Sequence, residues 1–218
     1  EDHADDAGHG HRPRRVEAED VNCPAAGQQA ADQAHAQWKD VDSDFAALVN
    51  LWRGFEEQRQ ALTANPLRNW CRKQFLNYLR LREWRDAHRQ LALICRDLQL
   101  TVNKEPTDYQ KLHKAILSGL LSQIGQKTEE GDYQGARQRR FWVHPSSVIG
   151  RKKPNWIMAA ELVETTKLFA RMVAKIEPDW IEPLAKHLIK TNHFEPHWEK
   201  KRGQVVAYEQ VTLYGMIV

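Results

Sequence analysis

Hydrophobic and polar positions follow a helical period in the first half of the chain and an alternating pattern in much of the second. Between residues 30 and 127, apolar side chains recur every three or four positions, as on one face of an α-helix. The first such group follows Ser43 and Asp44, whose side chains are suited to cap a helix start. Residues 63–66 then predict a break, with Pro66 in the first turn of the next helix. These elements predict a small helical bundle.

Three further segments complete the predicted bundle. The second helix is expected to continue through residue 81 with its apolar side chains on one inward side. Residues 83–98 predict another helix, and residues 108–126 predict the last one. The expected inward positions are Leu67, Trp70, Cys71, Phe75, Leu79, Leu81, Leu112, Ile116, Leu120 and Ile124.

The second half of the chain has short apolar stretches between turn-forming residues. Residues 141–143 and 156–158 predict short strands. Residues 163–176 fit either a helix or a strand, residues 179–189 predict a helix, and alternation from Gly203 onwards predicts strands. The predicted fold class is therefore α+β, with a small helical bundle followed by a small β-barrel-like domain.

Composition changes this picture at the N-terminus. Residues 1–29 are rich in Asp, Glu, Ala, Gly and His, and only Val16 and Val21 are large aliphatic residues. Such a segment cannot offset the entropy of ordering, so we expect disorder there. The 3 cysteines form no CxxC pair, which favours a reducing, cytoplasmic compartment. No apolar run approaches the ~20 residues of a membrane span, so we expect no membrane partner.

The chain contains none of the common motifs of nucleotide hydrolysis or hydrolytic catalysis. It has no GxxxxGK[ST] loop to cradle phosphates, and no Asp-Glu-x-His, HExxH or GxSxG segment. We therefore expect no catalytic residue, no cofactor and no metal site in this chain.

The candidate chemistry is basic and aromatic. The net charge of +3 is too small to indicate nucleic acid, but residues 136–155 hold six cations and no acid. Cations, aromatic faces such as Phe141 and Trp142, and serine hydroxyls together suit a single-strand binder. A solvated basic loop with buried aromatic side chains is an equal alternative, and a weaker cationic group surrounds Arg68. The candidate nucleic-acid-binding residues are Arg137, Arg139, Arg140, His144, Ser146, Ser147, Arg151, Lys152 and Lys153.

Ordered motifs then give the chain a family resemblance. In sequence, the motifs are Ser43-Asp44-Phe45, Phe75-Leu76-Asn77, Arg89-Gln90-Leu91, Ser118-Gly119-Leu120, His144-Pro145-Ser146-Ser147, Pro154-Asn155-Trp156-Ile157, Glu161-Leu162-Val163, Thr165-Thr166-Lys167, Ile176-Glu177-Pro178, Asp179-Trp180-Ile181 and Val211-Thr212-Leu213-Tyr214-Gly215. In order and spacing they resemble the helicase-associated (ratchet-like) helical domain and the OB-fold domain of DEAH-box RNA helicases. The stretch from Phe194-Glu195-Pro196-His197-Trp198-Glu199 to the last of these motifs is similar to the bacterial HrpA-like branch in particular.

The resemblance implies a domain division. Residues 1–29 match nothing in the family and form a tail, residues 30–127 form the helicase-associated helical domain, and residues 128–218 form an OB-fold domain. We expect this last domain to be truncated at its C-terminus.

The resemblance also implies partners and a role. In that family, RecA-like motor domains use ATP and Mg²⁺ and move along single-stranded RNA, so the motor domains and the RNA are the implied partners. This chain would bind the RNA backbone and help to close the RNA channel, with Ser146, Ser147 and Lys152 as the leading contacts. The alternative is a docking module for an activating protein, without nucleic-acid binding.

Overall fold

The structure of this chain, a computed structural model, describes residues 25–103, 105–201 and 203–218. Of the tail expected at residues 1–29, residues 1–24 lie outside the described part, whereas residues 25–29 begin the first helix. The α-helices are α1 (Ala25–His35), α2 (Asp44–Ala61), α3 (Ala64–Lys73), α4 (Tyr78–Asp97), α5 (Tyr109–Ser118) and α6 (Ile181–Ala185). The strands are β1 (Ile124–Lys127), β2 (Tyr133–Gly135), β3 (Arg140–Val143), β4 (Trp156–Glu164), β5 (Leu168–Lys175), β6 (Lys190–Glu199), β7 (Gln204–Leu213) and β8 (Met216–Ile217).

Helices α2, α3 and α4 form the helical region predicted from the sequence. Ser43 caps α2 as expected, because its hydroxyl accepts a hydrogen bond from the Ala46 amide at 3.0 Å. The three helices share one small buried cluster, which consists of Phe55, Leu67, Cys71 and Leu81. No described helix combines the length and apolar character needed to cross a membrane.

The second predicted helix was wrong in its length. Helix α3 ends at Lys73, and Asn77 starts α4 by accepting hydrogen bonds from two backbone amides of the next turn. An Asn side chain competes with helix continuation and favours a cap, which the apolar pattern did not reveal. Between the helices, Phe75 takes a left-handed φ of 55°. Phe75 and Leu79 are consequently exposed, although they were expected to face inward.

The last predicted helix of the bundle was also too long. Helix α5 ends at Ser118, followed by Gly119, and Ile124 already belongs to strand β1. Pairing of β1 with β2 and β4 overrides the helical spacing of its apolar side chains. The domain boundary expected between residues 127 and 128 therefore falls after a strand of the barrel. The helix expected at residues 179–189 is reduced to a short turn and α6.

Strands β1 to β5 close into a barrel with the order β1-β2-β3-β5-β4. All neighbours are antiparallel except β3 and β5, which run parallel. Gly135 lets the buried Phe141 ring approach closely, because a Cβ at this position would lie 2.8 Å from that ring. The interior is filled by Tyr133, Phe141, Ile149, Ile157, Ala159, Ala170 and Val173. The predicted α+β class, with a helical region followed by a barrel, is confirmed.

The direction of β3 defines two ends of the barrel. The turn of residues 136–139 precedes β3, and we call this the cleft end. The loop of residues 144–155 follows β3 at the opposite end, which we call the junction end because helix α2 attaches there. Strands β6, β7 and β8 form a separate sheet after the barrel, in which β6 and β7 make an exposed hairpin.

Candidate nucleic-acid interface

The fold separates the basic residues of the 136–155 stretch into two groups. Arg137 and Arg139 are exposed at the cleft end, in the turn between β2 and β3. Arg151, Lys152 and Lys153 are exposed at the junction end, in the loop before β4. The structure therefore does not bring the candidate cations into a single cluster, because the length of β3 lies between them.

At the junction end, the carboxylate of Asp44 joins the helices to the barrel. It accepts hydrogen bonds from the Ser147 hydroxyl at 2.6 Å, from the Val148 amide at 3.0 Å and from the Val173 amide at 2.8 Å. Ser147 is buried, and its oxygen also accepts a hydrogen bond from the Ile149 amide at 3.3 Å. The Ser147 hydroxyl is thus occupied within the fold and does not face solvent, unlike the RNA contact expected from the sequence.

The neighbouring Ser43 reinforces the same junction through a buried histidine. Its hydroxyl lies 2.6 Å from Nε2 of His113, whose Nδ1 lies 2.7 Å from the Tyr109 carbonyl oxygen. A carbonyl can only accept, so Nδ1 carries the proton and Nε2 accepts from Ser43. Burial lowers the pKa of His113, which keeps the ring neutral and suited to this arrangement.

Lys152 is exposed, yet it is also engaged by the junction. Its ammonium lies 3.2 Å from the carboxylate of Asp42. The Asp42 carbonyl oxygen in turn accepts hydrogen bonds from the Lys175 amide at 2.8 Å and from the Tyr109 hydroxyl at 2.9 Å. Lys152 is therefore a cation with an acidic neighbour, whereas the described residues place no carboxylate within ion-pair distance of Arg151.

Arg140 stabilises the turn between β1 and β2. Its guanidinium donates to both carboxylate oxygens of Asp132, at 2.7 and 2.8 Å, and to Glu130 at 2.6 Å. The side chain of Asp132 is only 2% exposed, and hydrogen bonds from Arg140 hold the pKa of that carboxyl below its ordinary value. The charge of Arg140, expected to face RNA, is thus compensated within the protein.

His144 and Ser146 form a small turn at the junction end. Nδ1 of His144 lies 2.7 Å from the Ser146 hydroxyl and accepts a hydrogen bond from the Ser146 amide at 3.2 Å. The Ser146 side chain remains exposed and can exchange this contact for one with a ligand. The edge of the His144 ring packs against Phe169, with ring centroids 5.7 Å apart.

The aromatic residues of the stretch have different surroundings. Phe141 is buried inside the barrel, and Trp156 is buried in the cluster that packs α5 and α6 against it, as the core interpretation expects. Trp142 is half-buried and carries the Lys167 ammonium over its ring, 4.7 Å from the centroid. The weaker cationic group is on α3, where the Arg68 guanidinium lies 5.3 Å from the centre of the Tyr78 ring.

The cleft end contains an open cleft of about 610 Å³ that sequence reasoning missed. Arg137 and Arg139 line it together with Glu161 from β4 and Tyr214 from the turn between β7 and β8. The Arg137 amide donates to the Tyr214 carbonyl at 2.9 Å, which joins the two turns. No sequence spacing connects residues so far apart, so only the closed barrel together with the packing of the β7–β8 turn against it reveals this set.

Among the described residues, no group of three or more His, Cys, Asp and Glu side chains could hold a metal ion. The groups that could contact a ligand on the barrel surface are therefore its cations, aromatic rings and hydroxyls. Such a set can neutralise phosphates and stack on bases.

The comparisons first define the class of protein. Residues 112–189 match a family described as oligonucleotide/oligosaccharide-binding (OB)-fold, which agrees with the closed five-stranded barrel. The chain thus contains an OB-fold domain.

Longer relatives identify the family more closely. The chain is 53% identical over 194 residues to the ATP-dependent RNA helicase HrpA homolog of Haemophilus influenzae, and 48% identical over 194 residues to the ATP-dependent RNA helicase HrpA of Escherichia coli. Each alignment covers 88% of this chain but only 15% of the relative. A crystal structure of the E. coli DExH-box NTPase HrpB matches 58% of this chain and 16% of that chain, with 13% identity and a TM-score of 0.42. The chain is thus similar, over most of its length, to one region of HrpA-type RNA helicases.

Proposed function

We propose that this region binds the backbone of single-stranded RNA and helps to close the RNA channel of an HrpA-like, ATP-dependent RNA helicase. The single observation that carries the proposal is the set of exposed cations around the barrel. In the described part of the chain, no carboxylate lies within ion-pair distance of Arg137, Arg139 or Arg151. Cations without internal partners are available to phosphates.

The chemistry of this surface favours contacts with the backbone over reading of sequence. Guanidinium and ammonium groups neutralise phosphates, and such contacts position a strand without selecting its bases. Ser146 adds an exposed hydroxyl in the same loop as Lys153, whose ammonium lies near Gly131. In the parent enzyme, RecA-like motor domains would supply ATP hydrolysis with Mg²⁺, and this region would hold the strand.

The test is a titration of the purified chain with a fluorescently labelled single-stranded RNA, followed by anisotropy at several salt concentrations. The double substitution Arg151→Glu and Lys153→Glu should weaken RNA binding at least about tenfold, because two carboxylates that repel phosphates replace two cations that attract them. Arg53→Glu with Arg82→Glu is the matched control, because both arginines are exposed on helices away from the barrel. Unchanged affinity of the barrel variant would contradict the proposal.

A protein-docking function is the second candidate, and one observation favours it. The second half of α4 and the residue after it expose apolar side chains, namely Leu91, Ile94 and Leu98, which are 61%, 52% and 65% exposed. Exposed apolar patches of this kind mark interaction surfaces. A partner bound there would stay bound in high salt and would not compete with RNA, whereas the RNA complex should dissociate as salt rises.

A further inference from the structure

We infer that the cleft beside Arg137 and Arg139 is a pocket for one unpaired RNA base that carries an exocyclic amino group. Tyr214 would stack on the base, Glu161 would accept the amino group, and the two arginines would hold the flanking phosphates. This inference rests on the proposed RNA binding and adds a base-selective site to it.

The size and floor of the cleft suit a flat ligand. Its volume of about 610 Å³ falls within the usual range of small-molecule sites, about 300–1,000 Å³. Phe141 contributes to the lining and is itself fully buried, so the barrel core supports the cleft. The side chain of Leu162 adds a further apolar surface. Tyr214 is 38% exposed, which leaves part of it accessible to a base.

Unusual backbone conformations build the wall of this cleft. Arg137, Gln138 and Tyr214 all take left-handed φ angles, 58°, 62° and 51°, although none is glycine. Two hydrogen bonds join their turns, from the Arg137 amide to Tyr214 and from the Gln138 side chain to the Gly215 carbonyl, both at 2.9 Å. Residues held in such sparsely populated conformations concentrate at functional sites. Here they place an arginine and a tyrosine at the mouth of one cleft.

The polar lining indicates which bases would fit. A carboxylate accepts hydrogen bonds and donates none, so Glu161 is complementary to the amino groups of cytosine, adenine or guanine. Uracil has only carbonyl oxygens and one ring N–H on its pairing edge, so it offers no amino group. Ser122 and Gln123 also line the cleft and can satisfy the remaining base atoms.

Tyr214 lies beyond the residues that match the OB-fold family, which end at 189. The pocket is therefore completed by the sheet that follows the barrel. An OB-fold domain without this sheet would keep the arginines and lose the stacking face.

The experiment compares cytidine and uridine oligonucleotides of about twelve nucleotides, a length within the usual range for OB-folds. The unmodified chain should bind oligocytidine severalfold tighter than oligouridine. Tyr214→Ala should weaken binding of both at least about fivefold, the effect of losing one stacked base, and Tyr214→Phe should not. Glu161→Leu, which removes the acceptor, should abolish the preference for cytidine over uridine.

Two controls separate the outcomes. Tyr208→Ala removes an exposed tyrosine on β7 that stacks on Phe194 outside the cleft, and it should leave both affinities unchanged. Photo-crosslinking of a 5-iodocytidine oligonucleotide, whose base keeps the amino group, should label the peptide of the unmodified chain that contains Tyr214, independently of any folding defect. RNA binding that ignores Tyr214 and shows no base preference would overturn the pocket but leave the proposed function. Absence of any RNA binding would overturn both.

Discussion

The two ends of the barrel both carry basic side chains, but these side chains have different neighbours. Each end carries exposed cations next to β3, but at the junction end Asp42, just before helix α2, and Asp44, its first residue, contact the same loop. Asp42 forms an ion pair with Lys152, and Asp44 accepts a hydrogen bond from the Ser147 hydroxyl. At the cleft end, Arg137 and Arg139 face an open cleft instead. The two groups of cations therefore differ in their acidic neighbours: Asp42 pairs with Lys152, whereas among the described residues no carboxylate lies within ion-pair distance of Arg137 or Arg139.

The largest effect should come from removing the acid that organises the junction end. Asp44→Ala leaves the Ser147 hydroxyl and two backbone amides without their acceptor. We expect a loss of about 3 kcal/mol in the free energy of unfolding, because hydrogen bonds to a charged acceptor are costly to leave unmade. Urea unfolding followed by circular dichroism measures this quantity.

Asp108→Ala is the matched control, since Asp108 also starts a helix but accepts a single backbone amide, that of Lys111, at 2.7 Å. Its loss should be about 1 kcal/mol, the usual value of a helix cap. Equal effects of the two substitutions would show that Asp44 acts only as a helix-start residue.

The next effect concerns the cleft end and is measured in RNA binding. Arg137→Gln with Arg139→Gln should lower the slope of log affinity against log salt by about 1.4, since each lost phosphate contact on a single strand contributes ~0.7. Lys152→Gln should change the slope by much less, because Asp42 already engages this cation. A larger change in slope for Lys152→Gln than for the arginine variant would contradict the expected difference between the two ends.

Acidification should weaken the ion pair between Asp132 and Arg140. The pKa of Asp132 is lowered in the folded state by Arg140, so its contribution to stability is present above about pH 4, its ordinary range, and is lost as pH falls below it. Asp132→Asn should therefore flatten the fall in unfolding free energy between pH 4 and lower values. Asp86→Asn, on exposed α4, should retain the normal fall.

The smallest effect tests whether Asp42 withholds Lys152 from RNA. Asp42→Asn should raise RNA affinity by no more than about threefold at low salt, because exposed ion pairs contribute about 0–1 kcal/mol. As a control, Glu57→Gln removes an exposed carboxylate from α2 and should leave RNA affinity unchanged. The gain should vanish at high salt, where screening weakens both interactions.

The sequence predicted the larger divisions of the fold because periodicity and caps act locally. Ser43 and Pro66 marked helix starts correctly, and the short apolar stretches around Phe141 and Trp156 became barrel strands. The break at Asn77 was missed because a cap inside an apolar pattern changes the period only slightly.

The candidate site was less accessible to sequence reasoning, because it depends on contacts between distant residues. Asp44 and Ser147 are 103 positions apart, so nothing in the local pattern of the loop indicated that this hydroxyl was already bonded. Tyr214 reaches Arg137 only because the turn between β7 and β8 packs against the turn before β3. The pairing of Arg140 with Asp132, eight positions apart, was within reach of an argument from neighbouring strands.

The junction has a mechanical consequence for the cleft. Ser43 forms a β-bridge with Ala174, and the Lys175 amide donates to the Asp42 carbonyl at 2.8 Å, so main-chain bonds tie the start of α2 to β5. Because these bonds join main chain to main chain, we expect a tilt of the helices to move the barrel with them. The cleft, at the opposite end of the barrel, would then change its position together with the helices.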